Sequence, residues 1–144
     1  LGFDGYHRTG IIQAKMTTPR GDVDGTIATG NVGPGQAWTR FSGICETLLV
    51  ASTTPIAKDK VHLRFAFTQP KAETTGAKAG VAKAMKREVC NQLDQDKVVW
   101  DRQRYMAKPI ICDGDGPIPA FRKYYSQLPE MIIFHRKAVL FLVP

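Results

Sequence analysis

The sequence predicts an α+β fold in which an antiparallel sheet packs on one long C-terminal helix. Strand patterns fill the first half of the chain, and one long helical pattern follows them. The strands do not alternate with helices, as they would in a parallel sheet. At 144 residues the chain has the length of a single domain.

The first strands are delimited by turn residues. Five glycines between Gly21 and Gly35, together with a proline, predict turns that separate short strands in this stretch. Residues 36–41 and 44–53 then read as two strands with a bend at Ser42-Gly43. Residues 55–60 carry turn chemistry and lead into the next strand.

The clearest strand covers residues 61–69. Apolar and polar side chains alternate along it, which is the period of a half-buried strand. One face is apolar and comprises Val61, Leu63, Phe65 and Phe67, and the other carries His62, Arg64 and Ala66. The stretch 44–69 therefore predicts a β-hairpin or meander.

The second half of the chain is predicted to be helical. Pro70 ends the strands, and residues from Thr75 to Met106 are rich in alanine, lysine, glutamate and glutamine without a proline, which favours a long helix. Pro109 closes it. A turn-rich loop follows, and a short amphipathic helix is expected at about Ala120–Gln127.

Composition and charge limit the classes of protein to which this chain can belong. The net charge of 20 − 13 = +7 permits an acidic partner, but the cations are scattered, so we expect a solvated basic surface and no nucleic-acid binding. No apolar run is long enough for a membrane span, which predicts a cytoplasmic protein. Cys45, Cys90 and Cys112 form no CxxC or Cys-x-His pair, so we expect reduced, structural thiols.

One acidic residue of the long helix calls for an explanation. At about 100° per residue, Asp96 falls near the centre of an apolar stripe, while Asp94 and Asp101 project from the opposite side. The stripe comprises Val81, Met85, Val89, Leu93 and Trp100. A buried carboxylate must be paired or bind a metal. Two readings stay open: an ion pair with Arg64 or His62, or a metal ligand or acid/base group.

The helix segment from Asn91 to Gln103 looks like the carboxylate-ligand helix of Rieske-type non-haem iron oxygenases, and five further segments fit the same family in the same order. The branch it is most similar to comprises the oxygenase components of 3-ketosteroid 9α-hydroxylases and, more distantly, the cholesterol 7-desaturases. The other segments are Thr17–Gly25, Gly33–Gly35, Phe67–Pro70, Lys108–Ile118 and Phe121–Tyr125.

This resemblance implies a fold, a site and partners. The fold would be an incomplete helix-grip, or START/Bet v 1-like, domain with its pocket between sheet and helix. Asp96 would correspond to the carboxylate of the 2-His-1-carboxylate triad that holds mononuclear Fe(II). The parent enzyme would hydroxylate a steroid-like apolar substrate, with electrons from a reductase component passing through a [2Fe-2S] Rieske cluster. Parent enzymes of this family are trimers, so we expect self-association.

The chain departs from the family in its ligands. The family carries two closely spaced histidine ligands and the Cys-x-His pairs of its cluster, whereas the histidines here are the widely separated His7, His62 and His135. One carboxylate does not hold Fe(II) firmly. We therefore expect no cofactor bound to this chain and no catalysis by it alone. The alternative is a non-enzymatic lipid- or sterol-binding module with the same architecture.

The sequence divides into two parts. Residues 1–127 are expected to form a partial catalytic domain of the helix-grip type. Residues 128–144 form an atypical apolar tail, which we expect to pack on its own domain or on another subunit. Self-association is also predicted on physical grounds, because half of a grip domain would leave the apolar face of the strand 61–69 uncovered.

Overall fold

The computed structural model describes residues 2–5, 7–18, 21–57, 60–104, 106–112, 115–116, 118–126 and 139–142. In chain order, the strands are β1 Gly2–Asp4, β2 His7–Thr18, β3 Gly21–Val32, β4 Gln36–Ser42, β5 Thr47–Ala57, β6 Lys60–Thr68 and β7 Val139–Leu142. The helices are α1 Lys71–Thr74, α2 Ala79–Trp100 and α3 Ile118–Ser126, and a 3₁₀ turn at Gly76–Lys78 precedes α2.

The described strands form one open sheet whose spatial order is the chain order, β1 to β7. Strands β1 to β6 are a continuous antiparallel meander. The short β7 pairs with β6 in parallel, which brings residues 139–142 of the predicted tail against the same sheet. An antiparallel sheet accompanied by one long helix confirms the predicted α+β class.

The glycine-rich stretch was expected to break into short strands, and this expectation is wrong. Residues 21–32 form one uninterrupted strand, β3, that pairs along its whole length with β2. Gly30 lies inside this strand because the Trp38 indole packs flat on it: a Cβ at Gly30 would lie 2.4 Å from Trp38 Cε2. Gly33 does make a turn, since its φ of 61° suits the bend into β4.

The predicted hairpin is confirmed, with β5 and β6 antiparallel and in the register expected of neighbouring strands. Val61 and Leu63 are buried, Phe65 and Phe67 are half-buried, and Arg64 and Ala66 on the opposite face are exposed. The apolar face of β6 is therefore largely covered within the chain. The predicted turn begins later than expected, because β5 continues through an irregular pairing at Pro55 to Ala57.

The long helix is shorter than predicted at both ends. Thr75 is extended, with φ −121° and ψ 159°, and interrupts the helical path between α1 and the 3₁₀ turn. The continuous helix α2 ends at Trp100 rather than Met106. Helix α3 lies close to the short helix predicted there. Of the helices described, none has the combination of length and apolar content needed to cross a bilayer.

The core lies where the first part of α2 meets the β5–β6 hairpin. The buried apolar side chains are Cys45, Leu49, Val61, Leu63, Ala82, Val89 and Tyr124. The amide of Gln69 joins hairpin and helix, because its Nε2 donates to Thr47 Oγ1 at 2.9 Å and to the carbonyl oxygen of Ala82 at 3.2 Å. The Lys86 ammonium also lies 6.0 Å from the centre of the Phe67 ring.

Candidate functional site

Asp96 lies on α2, but its predicted burial is wrong: the residue is exposed. Its neighbours on the stripe, Leu93 and Trp100, are half-buried. The buried residues of α2 are Ala82 and Val89, both in its first half. The helical spacing was therefore read correctly, but a place on the apolar stripe does not by itself bury a residue. Asp94 and Asp101 are exposed, as predicted.

The proposed ion pair of Asp96 is also wrong. Among the described residues, no hydrogen bond or ion pair joins Asp96 to His62 or to Arg64. Both candidate partners alternate with Val61 and Leu63 and so lie on the sheet face opposite to α2. Arg64 is exposed, and His62 is half-buried with an Nε2 that has no hydrogen-bond partner within the described part of the chain.

The histidines are far apart in the structure's topology as well. His7 begins β2 and is exposed, whereas His62 is the third residue of β6; His135 falls outside the described residues. Within the described ranges, no group of three or more histidine, cysteine, aspartate or glutamate side chains could hold a metal ion. Asp96 is thus not part of any such group in this part of the chain.

The sheet face that carries α2 presents a continuous row of side chains across four strands. Cross-strand pairing aligns Thr29 with Thr39, Thr39 with Leu49, and Leu49 with Phe67. Three strand spacings span roughly 14 Å, so this row is long enough to contact an elongated apolar molecule. We call Thr29, Thr39, Leu49 and Phe67 the helix-side row. Lys86 lies over its Phe67 end.

A basic and aromatic cluster lies at the Thr29 end of the helix-side row. Arg8 Nη1 donates to Asn31 Oδ1 at 3.1 Å and to Thr29 Oγ1 at 3.4 Å. The Arg8 guanidinium stands 5.2 Å from the centre of the Phe121 ring, which belongs to α3. We call Arg8, Thr29, Asn31 and these aromatic residues of α3 (Phe121, Tyr124 and Tyr125) the Arg8 cluster.

Helix α3 closes the Arg8 cluster with packed aromatic rings. The ring centres of Phe121 and Tyr125 are 4.7 Å apart, and Tyr124 meets Tyr125 edge-on. Tyr124 is buried and donates its hydroxyl to the carbonyl oxygen of Gly33 at 3.4 Å, which fixes α3 to the β3–β4 turn. Burial raises the pKa of Tyr125, an effect that the nearby Arg8 partly offsets. Tyr124 is buried and the other residues of the cluster are half-buried, so the cluster is partly shielded from water.

The Arg8 cluster was not foreseen from the sequence. On β2 the pattern around Arg8 carries few apolar residues, so nothing marked its side as facing the interior. The strand register, which only the structure displays, places Arg8 on the face shared with the helix-side row, because Arg8 pairs with Asn31.

A separate cleft of about 570 Å³ opens on the other side of the sheet. Trp38, Ala28 and Leu48 line its apolar part, and the exposed ion pair of Arg40 with Glu46 borders it. Trp38 and Leu48 alternate with residues of the helix-side row, so most of this cleft lies away from α2.

A comparison with known protein families identifies the family of this chain. The family model of the 3-ketosteroid 9α-hydroxylase C-terminal domain matches residues 4–128, which is most of the chain. The chain therefore belongs to this family. The resemblance to the C-terminal region of a Rieske-type oxygenase is confirmed.

Two curated relatives agree with the family match. The oxygenase component of 3-ketosteroid-9-alpha-monooxygenase from Rhodococcus rhodochrous is 26% identical over 84 residues, covering 57% of this chain and 21% of the relative. Cholesterol 7-desaturase from Xenopus laevis is 23% identical over 107 residues, covering 73% of this chain and 23% of the relative. The chain thus spans about a fifth of the length of these relatives. No solved structure gives a significant match.

Proposed function

We propose that this chain is part of the catalytic domain of a Rieske non-haem iron monooxygenase that hydroxylates a steroid-like apolar substrate. The observation that carries this proposal is the family match over residues 4–128. Both relatives bear names of steroid- or sterol-acting enzymes, which supports the substrate class. In this proposal the chain alone is catalytically inactive, and a reductase component supplies electrons to the complete oxygenase.

Within that function, Asp96 is the carboxylate ligand of the mononuclear iron. A carboxylate oxygen suits Fe(II), and exposure on α2 leaves it accessible to ligands from outside the described residues. The described residues do not make an iron site on their own, since they bring no second ligand to Asp96. When bound in the complete enzyme, the iron would supply dioxygen chemistry.

The second contribution of the chain is one wall of the substrate pocket. In the helix-grip arrangement that we propose for the complete domain, the pocket lies between the sheet and the long helix. The helix-side row faces that space, and its half-buried residues Thr29, Thr39 and Phe67 are the ones that would contact an apolar ligand, since Leu49 is buried in the core. Because ligand contact with this wall needs no iron, a sterol-binding module without catalysis is the second candidate function.

We also propose that the chain self-associates, as the trimeric family implies. The reason first given from the sequence does not hold, because Val61 and Leu63 are buried within the chain. A different surface supports the proposal: the second half of α2 and the segment after it expose the apolar side chains Val98, Val99, Met106 and Ile110.

A segment exchange tests the iron role. The C-terminal segment of the Rhodococcus rhodochrous oxygenase component that aligns with this chain is replaced by the chain itself, carrying Asp96, Asp96→Ala or Asp94→Ala. We expect Asp96→Ala to lose mononuclear iron and steroid hydroxylation while the absorbance of the iron–sulfur cluster persists. Asp94→Ala, an exposed carboxylate two positions away, is the matched control and should keep both.

Two results would count against the proposal. Full iron occupancy in the Asp96→Ala exchange would remove Asp96 from the ligand set. A protein with the natural Asp96 that retains its cluster and a bound fluorescent sterol, yet takes up no mononuclear iron, would favour the binding module.

A further inference from the structure

Arg8 is a half-buried cation with no counter-ion in the described part of the chain. The ion pairs formed by described residues join Arg40 to Glu46, Lys78 to Glu73 and Lys97 to Asp101, and none includes Arg8. Within the described part of the chain, its hydrogen bonds go to two neutral side chains, Thr29 and Asn31. A guanidinium held in poorly hydrated surroundings without a negative partner is costly, unless another molecule supplies the charge.

The free edge of the Arg8 guanidinium has the geometry of a carboxylate receptor. Nη1 is engaged by Asn31 and Thr29. Nε is out of contact with solvent and has no hydrogen-bond partner among the described residues. The Nε and Nη2 groups on one edge of an arginine form the fork that binds both oxygens of a carboxylate.

The surroundings of that edge are apolar and aromatic. The Phe121 ring stacks on the guanidinium, and Tyr125 and Tyr124 pack behind Phe121. Burial raises the pKa of Tyr125, so its phenol supplies no negative charge to Arg8, and Tyr124 donates its hydroxyl to the carbonyl oxygen of Gly33. The cluster thus joins one positive charge to a wall of rings, which suits an anion attached to a hydrophobic body.

We propose that Arg8 binds the carboxylate of an apolar acid whose hydrophobic body lies along the helix-side row. Asn31 and Thr29 hold the guanidinium in place, so that its Nε–Nη2 edge faces the ligand. Phe121, whose ring centre lies 5.2 Å from the guanidinium carbon, shifts on α3 to admit the acid. The inference rests on the proposed function only in using the same sheet face as the substrate wall; it requires neither iron nor catalysis.

The test uses the 144-residue chain and two fluorescent probes of nearly equal shape. 1-Pyrenebutyric acid carries a carboxylate at pH 7.5, and 1-pyrenebutanol carries a neutral hydroxyl at the same position. Fluorescence anisotropy titrations give the dissociation constant of each. We expect the acid to bind about tenfold more tightly than the alcohol or better, as charge-assisted bonds to a half-buried arginine imply.

Three variants assign this preference to Arg8. Arg8→Met should bring the acid and the alcohol to equal affinity, and Arg8→Lys should keep part of the preference, because lysine retains the charge without the fork. Arg64→Met is the matched control: it removes the same charge from an exposed position on the other sheet face, and should leave the preference unchanged. Far-UV circular dichroism checks the fold of each variant.

The outcomes separate this inference from the proposed function. If the natural chain binds both probes with equal affinity, the Arg8 site is refuted while the apolar wall stands. If neither probe binds, both the Arg8 site and the wall fail. If Arg64→Met reduces the preference as much as Arg8→Met does, the effect is that of overall charge and the assignment to Arg8 is wrong. Should Arg8→Met not fold, Arg8→Lys and the comparison of the two probes decide.

Discussion

The two halves of α2 have the same sequence pattern and opposite environments. The first half, residues 79–89, places Ala82 and Val89 in the core and is bonded to the hairpin through Gln69. The second half, residues 90–100, continues the apolar stripe through Leu93 and Trp100, yet buries none of its residues. A helical stripe shows which side of a helix is apolar, whereas packing against the rest of the chain decides how much of that side is covered.

The first prediction contrasts the buried core with the exposed side of the second half of α2. Leu63→Ala removes a side chain that is 6% exposed in the core beside α2, and should lower the free energy of unfolding by about 2–5 kcal/mol through lost burial and the remaining cavity. Val98→Ala, at a side chain that is 55% exposed in the second half, should change it by less than about 0.5 kcal/mol. Urea unfolding followed by circular dichroism measures both.

The contrast between these two variants is the test of the comparison. Equal losses of unfolding free energy for Leu63→Ala and Val98→Ala would mean that Val98 is packed as firmly as the buried core. A loss below 1 kcal/mol for Leu63→Ala would mean that the described core contributes little to folding.

A smaller effect is expected at the connection between hairpin and helix. Gln69→Met keeps the length of the side chain but removes the amide that donates to Thr47 and to the Ala82 carbonyl. Thr47 is only 1% exposed, so its hydroxyl would lose a partner that water cannot easily replace. We expect a loss of about 1–3 kcal/mol in urea unfolding.

Gln92→Met is the matched control for this change. Gln92 is exposed on the second half of α2, and its amide donates to Glu88 on the same helix surface. Its replacement should cost less than about 0.5 kcal/mol. If Gln92→Met and Gln69→Met destabilise the chain equally, the bonds of Gln69 do not anchor the helix.

The sequence predicted well those parts of the fold that depend on local alternation. The burial of Val61 and Leu63 against the exposure of Arg64 followed directly from the two-residue period of β6. The long β3 was missed because glycine normally favours turns, whereas Gly30 serves here to admit the Trp38 ring. That reason is a contact between two strands, which one strand's sequence does not display.

The candidate site was predictable only in part, for the same physical reason. The position of Asp96 on the apolar stripe could be read from helical spacing, but its exposure depends on tertiary packing, which helical spacing does not display. The Arg8 cluster depends on register between β2 and β3 and on α3, more than a hundred residues further along the chain, folding back to Arg8. Such long-range contacts leave no periodic signal.

The smallest effect on stability is expected in the second half of α2. A substitution there distinguishes the folding of one chain from the association between chains. Val99 is 59% exposed and Ile110 is 94% exposed, so neither contributes much to the core of one chain. Val99→Lys should therefore change the free energy of unfolding of the monomer by less than about 0.5 kcal/mol. If copies of the chain associate through this surface, the new charge must be desolvated at the contact, and association should weaken at least about tenfold. Sedimentation equilibrium over a range of concentrations measures the association constant.

Val81→Lys is the matched control. It is the same exchange at an exposed position in the first half of α2, and it should leave association unchanged. A natural chain that stays at 15.9 kDa at every concentration would end the self-association proposal, and equal effects of the two lysines would place the contact elsewhere.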